Sequence, residues 1–494
     1  MPRRKCPWGA TREIGLFATP SKLTIMQYLS TRGGISPISF TDSVMMGLAE
    51  DGGLLLPRTI PRIGYETLTS WNNLSYPELA FEIMSRFIDD IPSSDLKDII
   101  NRSYATFSSE EVTPLVHRGD LHILELFHGP TLAFKDIALQ FLGNLFEYLL
   151  SKNNSILNII GATSGDTGSA AIYGVRGKER LNIFILHPHQ RISRVQEKQM
   201  TTVTDNNVFN IAIRGSFDDG QAIVKKLFND IEFKNKYSLG AINSINWARI
   251  LAQVVYYVHS CLHVIGHEKD CSLDFTVPTG NFGDIFAGYI AKKMLPAGTI
   301  RQLVLATNSN DILTRFVNNG DYSLGDVKIT SSPSMDIQAA SNFERYLYYL
   351  VDNDSPRTKE LMKEFAQTGT LDLTSYQEQI RRDFVSSSVS NEEVSDTISR
   401  FYNEHDYILD PHTAVGVQVA GKLKTSGVPM VCLATAHPAK FSEVVEKAIG
   451  TQPPPSNVLA GILDAPSKCE IMDASTKDIR QYISRHALQK PTGD

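Results

Sequence analysis

The 494-residue chain is 42% hydrophobic and 21% charged, and its 48 basic against 54 acidic side chains leave a formal net charge of -6. That balance excludes a polybasic nucleic-acid groove or a face built for anionic membranes, and describes a mildly acidic globular protein long enough to bury a ligand pocket. The five cysteines, Cys6, Cys261, Cys271, Cys432 and Cys469, contain no Cys-x-x-Cys pair, which argues against a disulfide framework or a zinc ribbon and for a reducing, cytoplasmic setting. No apolar run reaches membrane-span length; even Ile137 to Leu150 is interrupted by Gln140, Asn144 and Glu147.

Residues 1–25 set Arg3, Arg4, Lys5, Arg12 and Lys22 against the single acid Glu13 and lack an amphipathic repeat, so they read as a disordered extension rather than a transit peptide. An N-terminal domain is expected over 26–118. It holds a short strand, a helix from Phe40 to Leu48 ended by the Asp51-Gly52-Gly53 turn, and helices over Tyr76 to Phe87 and Ser94 to Phe107.

An α/β domain over 119–270 follows, and the run Glu125-Leu-Phe-His-Gly-Pro-Thr-Leu-Ala-Phe-Lys135-Asp dominates it. His128, Gly129 and Pro130 make a turn, Thr131 is the expected N-cap, and Ile137, Ala138, Phe141, Leu142, Leu145, Phe146 and Leu149 recur with helical period. Lys135 therefore falls in a first helical turn. The helix dipole and an apolar wall both favour its neutral, nucleophilic amine, whereas a first-turn lysine left in water is an ordinary surface charge.

Strands then alternate with helices: Ile156 to Ile160, Asn182 to Leu186 and Phe209 to Arg214 against Ser169 to Tyr173, Ser193 to Met200 and Gln221 to Phe228. Such alternation predicts parallel sheets covered by helices, with ligands at the carboxyl ends of the strands. His259, His263 and His267 recur every four residues, but no carboxylate or cysteine motif completes a metal site, so they are expected as helix-surface histidines. A second α/β domain is expected over 271–460, with strands Phe275 to Val277, Gln302 to Ala306 and Pro429 to Ala434. Within it, about 321–400 is polar and reads as an insertion of solvated helices, and 461–494 as a C-terminal tail.

Two loops suit anions. Gly280-Asn281-Phe282-Gly283-Asp284 follows a strand and opens a helix, so its N–H groups converge where a phosphate can sit, or it is simply a tight turn. Thr163-Ser164-Gly165-Asp166-Thr167-Gly168 is rich in hydroxyl and N–H donors and suits a carboxylate, or it is an Asx-type turn capping the next helix. Walker and dinucleotide patterns are absent.

The stretch His128-Gly-Pro-Thr-Leu-Ala-Phe-Lys135-Asp resembles the signature around the cofactor lysine of threonine synthases of the long fungal and proteobacterial-like branch. From about Met26 onward the resemblance continues through Ser30-Thr-Arg-Gly33, Asp51-Gly-Gly53, Gly161 to Gly168, Asn243-Ser-Ile-Asn-Trp-Ala-Arg249, Pro278 to Asp284 and Ala434-Thr-Ala-His-Pro-Ala-Lys-Phe441. It implies a fold-type-II pyridoxal-phosphate enzyme, a monomer or homodimer without metal, nucleic acid or membrane partners, that converts O-phospho-L-homoserine and water to L-threonine and phosphate.

By that resemblance Lys135 carries pyridoxal 5'-phosphate, Gly280 to Asp284 hold its phosphate, Asp166 faces its phenolic oxygen and Thr435 its ring nitrogen. Ser164 and Thr167 grip the substrate carboxylate, and Asn246, Arg249 and Lys440 its phosphate; each of these three has the alternative of a helix cap or a surface charge. Arg32 is implied near the site or an interface, although local strand chemistry accounts for it equally well. Related phospholyases, which release 2-ketobutyrate and phosphate, and a non-catalytic cofactor-binding relative are the alternatives.

Overall fold

The computed structural model describes residues 25–163, 165–266, 271–454 and 456–490; the extension before residue 25, Ser164 and His267 lie outside them. Two sheets carry the architecture. The first has five parallel strands in the spatial order Glu470–Asp473, Val208–Arg214, Leu181–Pro188, Leu157–Ala162 and Leu239–Gly240. The second has six, ordered Phe384–Ser388, Ile300–Thr307, Leu273–Pro278, Met430–Ala434, Leu121–Glu125 and Leu115–Arg118. Only its last pair is antiparallel. Strands Leu181–Pro188, Leu273–Pro278 and Met430–Ala434 are buried at every position, as near-continuous apolar runs in parallel sheets covered on both faces must be.

The helix Lys135–Lys152 is buried along most of its length. It approaches the helix Asp166–Val175 so closely that a Cβ on Gly143 would collide with the Gly174 carbonyl. Strand Tyr28–Ser30 pairs with Leu55–Pro57 outside both sheets. Arg345, fully buried, ties this N-terminal unit down by donating to the Leu55 carbonyl and to the Ile245 carbonyl. Arg32 makes a two-pronged pair with Glu344 at 2.8 and 2.9 Å, so its role is to fasten the same unit.

Several expectations need correction. Strands Leu115–Arg118 and Leu121–Glu125 belong to the second sheet, so the chain enters that sheet before it builds the first, and a cut at residue 119 does not follow the sheets. The expected tail over 461–494 is more than that in its described residues, 461–490: Glu470–Asp473 adds a strand to the first sheet, and helix Thr476–His486 packs Ile479 and Ile483 into its core. The 321–400 stretch is only partly solvated. Its charge clusters lie on the helix Ser355–Thr368, whereas helix Phe343–Leu350 is buried and Phe384–Ser388 is an edge strand.

Helix Trp247–Ile265 is long and apolar enough by composition to span a membrane, contrary to the expectation from apolar runs. Yet 83% of its most apolar window is buried inside the protein, the signature of a central core helix. His259 on this helix is correspondingly not a surface residue. It is 4% exposed, packs edge-on against Tyr76 and shares a hydrogen bond with Thr113 at 3.3 Å. Burial, reinforced by His263, pushes its imidazole from the usual 6.5 down to about 3. Between those values the unfolded chain binds a proton here that the native chain does not. The stability it supports is therefore intact above the unfolded value and is lost as pH falls toward about 3. His259→Phe is expected to flatten this acid limb in denaturation titrations at a series of pH values; an unchanged slope would clear His259 of the effect.

Candidate active site

Three strands of the two sheets, Leu157–Ala162, Leu273–Pro278 and Met430–Ala434, end at one cavity of about 310 Å³, the placement expected of a ligand site in parallel α/β architecture. Lys135 enters it from the first turn of its helix, only 9% exposed, so it is not a solvated surface charge. The expected N-cap role of Thr131 is not what forms. Its N–H and hydroxyl donate to the Asp136 carboxylate at 2.8 and 2.7 Å, and Phe134 precedes the helix without a side-chain cap. The acid in the first turn thus satisfies the preceding turn. Burial lowers the Lys135 pKa, assisted by Lys440 and Arg249 and opposed by Asp166 and Asp136.

The second anchor is Thr435, directly after strand Met430–Ala434. Its carbonyl accepts from the Phe134 N–H at 2.9 Å, and Ala133 bridges Ala436. Both anchors line the cavity. Their relative position is therefore fixed by backbone rather than by flexible side chains.

Gly280 to Asp284 form the strand-to-helix loop ahead of helix Gly283–Met294, and all five line the cavity. Phe282 adopts φ 63°, an unusual conformation for a bulky residue that turns the loop into the helix. A Cβ on Gly280 would lie 2.8 Å from the Ser334 carbonyl, so only glycine admits the neighbouring wall. The Asp284 carboxyl accepts from the hydroxyls of Tyr256 and Tyr257, and burial pushes it up to about 6. It supports the loop from within the core.

In the other loop the Thr163 hydroxyl accepts from the N–H groups of Gly165 and Gly168, both at 3.0 Å, so a side-chain turn does shape it. Thr167 lines the cavity, while Ser164 falls outside the described residues. The Asp166 carboxylate is shared among several side chains. Its Oδ1 meets Lys440 Nζ at 3.0 Å and Gln196 Nε2 at 3.1 Å, and its Oδ2 meets Ser334 Oγ at 3.2 Å and Lys135 Nζ at 3.8 Å. Although burial opposes its charge, Lys440 and Lys135 hold its carboxyl well below the usual range.

The three expected phosphate ligands separate here. Asn246 caps helix Trp247–Ile265 through the Ala248 N–H and donates to the Val44 carbonyl, so it is structural. Lys440 is 1% exposed, sits behind Asp166 and donates to the Thr131 carbonyl at 2.7 Å; it does not line the cavity. Arg249 lines it, is 5% exposed, and has two guanidinium nitrogens, Nε and Nη1, buried without a partner. Burial pushes this guanidinium down to about 10. A buried cation without a protein partner is costly, and one that lines a cavity suits an anionic ligand.

Sequence reasoning missed the wall made by residues 333–337 and His412. His412 accepts from the Ser334 N–H at 3.2 Å, and its other ring nitrogen faces the Asp410 carboxylate at 2.9 Å. Asn308 and Asn310 pin the same loop through Asp336 at 2.7 and 3.0 Å. The Asp410-Pro-His412 run at a helix start was the one available signal. Together, a buried amine, a glycine-containing strand-to-helix loop, a hydroxyl at the carboxyl end of an interior strand and a buried guanidinium fit pyridoxal phosphate and an anionic substrate. Among the described residues no cluster of metal ligands occurs.

Comparison with known proteins identifies the family. Residues 27–104 match the family "Threonine synthase N terminus", 108–434 "Pyridoxal-phosphate dependent enzyme" and 413–483 "Threonine synthase, C-terminal". Threonine synthase of Schizosaccharomyces pombe is 47% identical over 94% of this chain and 99% of its own length. The crystal structure of pyridoxal-phosphate-bound threonine synthase from Brucella melitensis superposes with a TM-score of 0.91 at 42% identity, covering 94% of this chain and 99% of that one. The yeast threonine synthase structure gives 0.89 at 45% identity with the same coverage. With these matches spanning nearly its whole length, and its sheets and site as described, the chain belongs to the threonine synthase family of pyridoxal-phosphate-dependent enzymes.

Proposed function

We propose that the chain converts O-phospho-L-homoserine and water to L-threonine and phosphate, and that the observation carrying this is Arg249, a buried guanidinium without a partner in the cavity that holds Lys135. One cofactor phosphate belongs to the Gly280–Asp284 loop; a second anion is needed to satisfy Arg249. A substrate with an amine, a carboxylate and its own phosphate meets that need.

Pyridoxal phosphate bound to Lys135 supplies the electron sink for negative charge developing at the substrate Cα. The protein's part is proton handling and placement. Thr167 and the start of helix Asp166–Val175 receive the carboxylate, and Arg249 the leaving phosphate. Lys135, displaced by the substrate amine, would take the Cα proton, remove a Cβ proton as phosphate departs from Cγ, deliver a proton to Cγ to make the methyl group, and return a proton to Cα after water adds at Cβ. Asp166 would face the phenolic side of the cofactor ring and Thr435 its nitrogen, since both line the cavity with Lys135. A neutral hydroxyl at that nitrogen makes a weaker sink than a carboxylate would. The setting is cytoplasmic and the assembly a monomer or homodimer.

The test is to supply the holoenzyme with O-phospho-L-homoserine and quantify threonine, 2-ketobutyrate and phosphate together. Threonine equal to phosphate is expected. Ketobutyrate equal to phosphate would make the chain a phospholyase, and absence of phosphate release would leave the substrate misassigned.

A further inference from the structure

Lys440 has no place in the steps above, yet it is a fully buried lysine. Its ammonium lies 3.0 Å from Asp166 Oδ1 and 2.7 Å from the Thr131 carbonyl, with no exposed side-chain surface. On the other oxygen of the same carboxylate, Lys135 Nζ stands at 3.8 Å. A lone carboxylate this close to Lys135 in a dry site would hold that lysine as an ammonium, which cannot attack an aldehyde or accept a proton.

We propose that Lys440 is a positioning residue that neutralises Asp166 from behind, so that Asp166 keeps its ionised, acceptor form without trapping Lys135 as its counter-ion. The geometry separates the two tasks. Lys440 is anchored to the Thr131 carbonyl and cannot swing into the cavity, while Gln196 at 3.1 Å and Ser334 at 3.2 Å fix the carboxylate between the two lysines. The other charged groups around Lys135 are Arg249 from helix Trp247–Ile265, Asp136 from its own helix and Asp284 from helix Gly283–Met294; His412 faces Asp166 from the start of helix Pro411–Leu423. Burial, Lys440 and Arg249 act on Lys135 in one direction, toward the neutral amine, and Asp166 and Asp136 in the other. Taking away Lys440 removes a cation and frees the full charge of Asp166.

This deepens the reading of Lys135 as the reacting amine, but its test needs neither cofactor nor turnover. The full chain stripped of cofactor is labelled with trace acetic anhydride at a series of neutral and alkaline pH values. The acetylation of Lys135 is then followed by peptide mass spectrometry. Lys440→Met is expected to raise the Lys135 midpoint by about one pH unit or more, roughly tenfold less neutral amine at neutral pH. Asp166→Asn is expected to lower the midpoint, and the double variant Asp166→Asn/Lys440→Met to return it toward the parent. Should Lys440→Met fail to fold, Lys440→Gln, which keeps a donor for the Thr131 carbonyl, carries the same expectation. A folded neutral variant with an unmoved midpoint, or a double variant that shifts as far as Lys440→Met alone, would overturn the proposal while leaving the product assay untouched.

Discussion

Lys135→Ala is expected to abolish the visible absorbance of bound cofactor and to lower turnover by roughly 10³- to 10⁴-fold, because one amine serves both as attachment point and as proton carrier. The loss should be chemical rather than structural. Asp166, which faces Lys135, retains Lys440, Gln196 and Ser334 as partners, so no carboxylate is stranded. Nor can the other buried lysine substitute, since Lys440 is committed to the Thr131 carbonyl and lies outside the cavity lining. Borohydride reduction followed by peptide mass spectrometry checks both points. A reducible cofactor adduct persisting in the variant would place the attachment elsewhere and sink the assignment.

Arg249→Met should separate function from stability in the opposite sense to most core substitutions. In the substrate-free chain the guanidinium holds two unpaired nitrogens in the interior, so replacing it by an apolar side chain of similar length is expected to leave the thermal midpoint unchanged or raised. Catalysis should suffer: losing a buried charged contact worth about 3 to 4 kcal/mol lowers kcat/KM for the phosphorylated substrate by roughly 10²- to 10³-fold. Inorganic phosphate should stabilise the parent against heat by binding the native state and should do so much less in the variant. Thermal scans with and without phosphate, alongside kinetics, decide the matter. A variant that melts early and still responds to phosphate would mean that Arg249 is a structural cation and that the second anion sits elsewhere.

These two residues mark what was legible in the chain. Lys135 announces itself because a turn and an apolar helix lie within a few positions of it, and the glycine-rich loops because strand, turn and helix follow in order. Arg249, Asn246 and Lys440 looked alike as candidate phosphate ligands, since each lies in a family-like motif. What separates them is direction, cap or cavity or the far side of Asp166, and direction comes from tertiary packing. The wall of Ser334 and His412 was hidden for a further reason. Ser334 reaches Asp166 across 168 positions and His412 across 78, and it comes from a polar stretch whose charge runs describe only the neighbouring helix Ser355–Thr368. Alternation of strands and helices foretold two parallel sheets, but not that the chain begins one, leaves it to build the other, and returns.

That return has a cost during synthesis. Strand Glu470–Asp473 is the outer neighbour of Val208–Arg214, and the helix after it lays Tyr482 and His486 against Phe209. A nascent chain will have made the rest of this sheet, through Leu239–Gly240, about 230 residues before its last strand, Glu470–Asp473, emerges from the ribosome. Throughout that interval an apolar parallel edge stands open, a template for pairing with another chain. Premature termination near residue 465 should therefore yield a protein with its cavity residues encoded in full but one prone to edge-to-edge aggregation.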